Sequence, residues 1–319
     1  MAFERTKNYK LVLEYDGAAF HGWQVQPHLR TVHGCLESAL RTVLGDELKI
    51  HGASRTDRGV HALGQTVAVP CRPRRALPAV KLRAALNGLL DDDVKVREAA
   101  EMPLDWHARH HALGKHYRYR ILNSAWPSPL LRGQTWHVHR PLDVAAMNVA
   151  AAHLVGTRDF RSLAASGEVR ETTRTITELS VSRPGGGPVV LVDVAGDGFL
   201  WNMVRTIAGT LAEVGRGARS PDSIPAMLAA RDRRQAGQTA PAHGLTLMTV
   251  FYDEPPRITR RAELTGYEPW AGSAETSEGV GDTGQSSAPG VKKDAIPEGL
   301  TSGVREGSSR SADGLLGVA

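Results

Sequence analysis

The chain has 319 residues, 41% apolar and 23% charged, the composition of a globular protein with room for one large domain or two of ordinary size. No run of about 18 apolar residues occurs, which argues against a transmembrane helix, and the opening MAFERTKNYKLVLEYD has no apolar signal core, so a cytoplasmic protein is expected. The net charge of +5 is uneven: RPRR (72–75), HARHHALGKHYRYR (107–120) and RDRR (231–234) are basic, and with Trp106, Tyr117 and Tyr119 interleaved they suit a polyanion with stackable bases, although any one cluster is equally a solvated face.

In chain order, KLVLEYD (10–16) alternates as a strand. In VHGCLESALRTVL (32–44) Val32, Leu36, Ala39, Leu40 and Val43 form one apolar helical face, on which Cys35 is most simply a small hydrophobe. Strands follow at LKIHGAS (48–54) and GQTVAVPC (64–71), then a helix at VKLRAALNGLL (80–90) and a strand at DVKVREA (93–99). The rhythm then repeats. KHYRYRIL (115–122) and QTWHVH (134–139) read as strands, and DVAAMNVAAAHLVG (143–156) as a helix ended by Gly156. TRTITELSVSR (173–183) and PVVLVDVAG (188–196) make a hairpin around PGGG. WNMVRTIAGTLAEVG (201–215) is a helix stopped by Gly215, SIPAMLAA a short helix, and LTLMTVFY (245–252) a last strand. Two α+β halves follow, 1–105 and 106–256. From about 270 the chain is rich in Gly, Ser, Ala and Glu without periodicity, so 257–319 is expected to be a disordered tail.

Four groups of residues bear on chemistry. Asp57 stands in GASRTDRGVH between Arg55 and Arg58, either as a surface ion pair or as a carboxylate kept anionic for reaction. His107, His110, His111 and His116 are spaced for a metal, yet they run into a strand with only Asp105 nearby, so no metal site is expected. In KHYRYR, Tyr117 and Tyr119 share one strand face, and His116, Arg118 and Arg120 the other. The pattern fits a buried aromatic row with a solvated basic row, or a ring on which a base stacks. Arg205, beside the apolar face of its helix, needs a partner if part-buried, and a carboxylate such as Asp57 suits its planar fork.

Taken together these blocks resemble the TruA-type tRNA pseudouridine synthases. EYDGAAFHGWQVQ (14–26) is similar to that family's E-Y-D-G-x-x-F-x-G-W-Q-x-Q, and SRTDRGVHALGQ (54–65) to its G-R-T-D-A-G-V-H-A-x-G-Q. WHAR with GKHYRYRI (106–121), GTRDFRSL (156–163) and FLWNMVRTIAG (199–209) resemble three further blocks. The departures are Ser54 for glycine and Arg58 for alanine. The resemblance implies an α+β fold of two ferredoxin-like α/β-sandwich domains sharing an extended antiparallel sheet. It implies an isomerase that converts uridine to pseudouridine at positions 38, 39 and 40 of the tRNA anticodon stem-loop. Asp57 would be the nucleophile, Arg205 would hold it ionised and oriented, and Tyr117 would stack on the flipped uracil and assist proton removal. Arg55 and Arg58 would engage the RNA backbone or fill the place of the extruded nucleotide. No cofactor and no metal are implied; the partners are tRNA and a second copy in a homodimer, with no membrane. A non-catalytic RNA-binding module and a metal-dependent nuclease are the competing readings.

Overall fold

The structure is a computed structural model that describes residues 4–167 and 171–259. Most of the tail expected over 257–319 lies outside the described residues. Residues 257–259 do not: Arg257 pairs with Glu254, the Ile258 N–H donates to Glu178, and the Thr259 hydroxyl meets His116 at 3.0 Å. No helix among the described residues is long and apolar enough to cross a membrane.

The first half runs β1 (Lys7–Tyr15), α1 (Val32–Leu44), β2 (His51–Gly52), β3 (His61–Cys71), α2 (Ala79–Leu89) and β4 (Val94–Glu101). The second runs β5 (Gly114–Asn123), the side strand β6 (Trp136–Val138), α3 (Val144–Ala152), β7 (Gly156–Asp159), β8 (Thr173–Ser182), β9 (Val189–Gly196), α4 (Met203–Gly215), α5 (Ile224–Ala229) and β10 (Leu245–Phe251). The first half is thus a β-α-β-β-α-β unit, and the second repeats it through β5, α3, β8, β9, α4 and β10 with β6, β7 and α5 added. Within the first, β4, β1 and β3 lie side by side with β2 on the far edge of β3; within the second the order is β10, β5, β9, β8. Both have the fourth main strand beside the first and the third beyond it, the order of a ferredoxin-like sandwich.

The halves share one sheet of ten strands, mostly antiparallel. β3 joins them. Near its end it pairs with β2 through Val67 and Ala68; near its start it pairs, parallel, with β10 through His61↔Thr246 and Ala62↔Leu247. β10 is antiparallel to β5, and β5 to β9. The seam therefore brings the loop before β3, the start of β10 and the middle of β5 to one place.

Helices cover one face. Leu36, Leu40 and Leu44 of α1 and Leu82 and Leu86 of α2 are buried with Leu11 and Leu13 of β1, and Ile207 and Leu211 of α4 with Val190, Val192 and Val194 of β9. Burying each such side chain is worth about 1.5–3 kcal/mol. Thr31 caps α1 by accepting the Gly34 N–H, and Asp143 caps α3 by accepting the Ala146 N–H at 2.9 Å. Cys35 and Cys71 are free thiols.

Candidate active site

The loop from 53 to 60 is fixed by its backbone while the Arg55 and Arg58 side chains stay exposed. The Ala53 N–H donates to Thr66, and the Gln65 amide clamps Ser54, accepting its N–H at 3.2 Å and donating to its carbonyl at 2.7 Å. The Trp23 N–H reaches the Thr56 carbonyl at 3.0 Å, and the Thr56 hydroxyl meets the buried Tyr15 hydroxyl at 2.7 Å. Gly22 has φ 90°, and a Cβ there would stand 2.8 Å from the Thr56 carbonyl oxygen, so this close approach needs glycine. The block EYDGAAFHGWQVQ thus braces the loop: Trp23 lies over Gly52, while Gln24 and Gln26 face the cleft.

Asp57 opens into a cleft of about 800 Å³ that Arg55, Arg58, Tyr117, Trp201 and Arg205 also line. Its side chain is 33% exposed. The Arg205 Nη1 lies 3.4 Å from Oδ2, and the Trp201 Nε1–H donates to Oδ1 at 3.1 Å. Arg205 is itself held: Nη1 donates to Asn202 Oδ1 at 2.9 Å and Nε to the Ala240 carbonyl at 2.7 Å. Gly209, one turn on from Arg205, lets that chain lie close, since a Cβ there would stand 1.8 Å from the Gln238 carbonyl oxygen. The cation facing Asp57 comes from α4 and not from its sequence neighbours. Arg55 and Arg58 are exposed, and their guanidiniums have no ion pair or hydrogen bond among the described residues.

The helix expected over 201–215 begins at Met203, because Asn202 takes φ 63°. A non-glycine residue in the left-handed region costs about 1–3 kcal/mol and marks sites where the surroundings impose it. Here it turns Trp201, 58% exposed, over Asp57 instead of along the helix. Nothing in the sequence reading pointed to Trp201.

Tyr117 and Tyr119 share a face but differ in duty. Tyr117 lines the cleft, with its hydroxyl 2.7 Å from Ser54 Oγ and its ring edge-on to Phe199 at 5.3 Å. Burial pushes its phenol up to about 12; the Ser54 bond lowers it and the Asp57 charge raises it. Tyr119 is fully buried and donates to the Pro241 carbonyl at 2.7 Å, fixing the chain that holds Arg205.

The opposite face of β5 is a correction to the expected solvated row. His116 and Arg118 are buried, and both donate to Asp193 of β9, at 2.7 and 2.9 Å; Arg120 donates to Thr246 Oγ1 at 3.0 Å. His116 therefore stands apart from the other histidines. His51 stacks on His107 at 4.6 Å, the His110 ring is tilted against His107 at 4.2 Å, and His107 Nδ1 accepts the Arg109 N–H. Of the basic runs, Arg72 and Arg74 pair on the surface with Glu47 and Asp46, whereas Arg109 and Lys115 line the cleft.

A family model described as tRNA pseudouridine synthase matches residues 11–111 and 150–253. The chain is 46% identical over 247 residues to a protein of Acetivibrio thermocellus named tRNA pseudouridine synthase A, covering 77% of this chain and 100% of that one. Proteins of the same name from Geotalea uraniireducens and Moorella thermoacetica are 45% and 47% identical, covering 77% and 76% of this chain and 100% and 98% of theirs.

Proposed function

The chain belongs to the tRNA pseudouridine synthase family and isomerises uridine to pseudouridine in tRNA; from that premise we propose that Asp57 is the nucleophile and that the targets are uridines 38, 39 and 40 of the anticodon stem-loop. The observation that carries the assignment is the carboxylate of Asp57, open to a cleft, with Arg205 on one oxygen and Trp201 on the other.

The reaction exchanges one bond for another. An Asp57 oxygen bonds to the ribose C1′ as the C1′–N1 bond breaks, and the uracil leaves with the electron pair. The base turns, C5 bonds to C1′, and the carboxylate is released. The proton on C5 is lost and N1 gains one, so atoms and electrons balance with no redox partner. A carboxylate nucleophile divides a hard substitution into two easier ones. Arg205, fixed at Asn202 and Ala240, keeps the carboxylate aimed without reorganising during the step.

Removing a base from its stack costs a few kcal/mol, and the part of Tyr117 that faces the cleft offers a ring worth roughly 1–3 kcal/mol for a stacked base. With its phenol pushed up to about 12 and its hydroxyl on Ser54, Tyr117 is neutral at pH 7 and a poor base, which favours stacking over proton removal. Arg55 and Arg58, exposed beside Asp57, meet the RNA backbone or fill the space of the extruded nucleotide. The half 1–105 supplies Asp57 and the half 106–256 supplies Tyr117 and Arg205. We assign the protein to the cytoplasm as a homodimer with RNA across its basic cleft.

Mapping pseudouridine in unmodified tRNA transcripts after incubation with the protein tests the target assignment. New pseudouridine confined to 38, 39 and 40 is expected; modification elsewhere in tRNA would refute the positions while leaving the isomerase.

A further inference from the structure

Lys115 lies on β5 two residues before Tyr117, on the same strand face and in the same cleft. Two residues along a strand span about 6.6 Å, comparable with the reach from a base across its ribose to the phosphate. Two nearby cations are engaged: Arg205 holds Asp57, and the Arg174 Nη1 donates to the Glu171 and Thr173 carbonyls. The Lys115 ammonium makes no ion pair or hydrogen bond among the described residues. Burial pushes its pKa down to about 8, and the charges of Arg109 and Arg174 push the same way. A part-buried cation beside like charges, with no counter-ion, is unfavourable in the free protein and is relieved by an anionic ligand. The Arg109 guanidinium lines the same cleft and has no described partner either.

We propose that Lys115, with Arg109, seats one phosphate flanking the target uridine, so that the base reaches Tyr117 while its backbone is held two residues back along β5. The site deepens the synthase reading and rests on it. It differs from the contribution of Arg55 and Arg58, which are exposed and belong to the loop between β2 and β3, whereas Lys115 stands on β5. A phosphate fixed at that distance sets where the nucleotide enters, and so which sugar lies over Asp57.

The test uses the full chain and an anticodon stem-loop RNA carrying a neutral methylphosphonate at one or other phosphate flanking the target. Affinity is measured for the wild type, Lys115→Gln and Lys115→Arg, and pseudouridine formation in single turnover at saturating RNA. At one of the two phosphates, neutralisation weakens wild-type binding about tenfold. Lys115→Gln on normal RNA loses about as much, and the two changes combined lose no more than either alone. Lys115→Arg stays within about threefold of wild type. The salt dependence of binding becomes shallower by about one charge in Lys115→Gln. Wild-type affinity indifferent to both phosphates, or losses that multiply at both, would overturn the proposal, and the first result needs no variant to fold. If the wild type bound RNA without forming pseudouridine, the synthase reading would fail while the binding cycle still decided the phosphate site.

Discussion

Asp57 and Asp193 each receive two nitrogen donors, and the contrast between them separates chemistry from architecture. Asp193 is 4% exposed, on a strand, with His116 and Arg118 at 2.7 and 2.9 Å. Asp57 is a third exposed, on a loop, with Arg205 and Trp201 at 3.4 and 3.1 Å. Burial disfavours the Asp193 anion, but the His116 bond and the Arg118 charge outweigh it and hold the carboxyl below its usual range. Both donors come from β5, inside the fold. The looser grip on Asp57 leaves an oxygen that a substrate can reach, held in direction but not enclosed.

That contrast breaks if the two aspartates respond alike to substitution. The largest effect belongs to Asp57→Asn, which lowers single-turnover rate by about 10⁴-fold or more and leaves the thermal midpoint within about 2 °C, as a melt followed by circular dichroism checks. Asp193→Asn does the reverse. It strands buried positive charge and costs about 3–5 kcal/mol of stability in denaturant titration, with near-normal turnover per folded molecule. The sign with pH follows, since the folded pKa of Asp193 is depressed. Its contribution is complete above the unfolded value of about 3.9 and is lost as pH falls through the folded value, so wild type loses more stability on acidification than Asp193→Asn does.

Arg205→Ala sharpens the comparison from the partner's side. Turnover falls about 10²–10³-fold, the scale of one preorganised donor, while tRNA affinity changes only a few-fold; equal losses in both would make Arg205 a binding residue. The smallest effect is Tyr117→Phe, which stays within about tenfold of wild type because the ring is kept. A loss of 10³ would show that the hydroxyl takes part in proton transfer.

Much of the fold was legible because its helices and strands obey simple periods. α1 occupies Val32–Leu44, the stretch its apolar face marked, and PGGG separates β8 from β9. The strand expected at 48–54 shrinks to His51–Gly52, since the loop after it gives its hydrogen bonds to Thr66 and Gln65. β7 was missed, because Gly156, Thr157, Arg158 and Asp159 carry no apolar alternation. The place of β10 between β3 and β5 is a long-range pairing that no local pattern encodes.

At the site, the carboxylate and its arginine were readable as complementary groups in separate blocks. Trp201 was not, because its position depends on the left-handed turn at Asn202 inside a stretch with a helical pattern. The buried network on the far face had a signal that was passed over. Asp193 is the one acid in the apolar run VVLVDVAG, and a charge on such a strand requires a buried partner.

The proposed isomerisation runs through Asp57. The direct measurement is tritium release from tRNA carrying 5-tritiated uridine, without added metal or cofactor, by wild type and by Asp57→Asn. Release by the wild type alone, with both proteins binding tRNA equally, is the predicted result. Release at a comparable rate by Asp57→Asn would contradict the account.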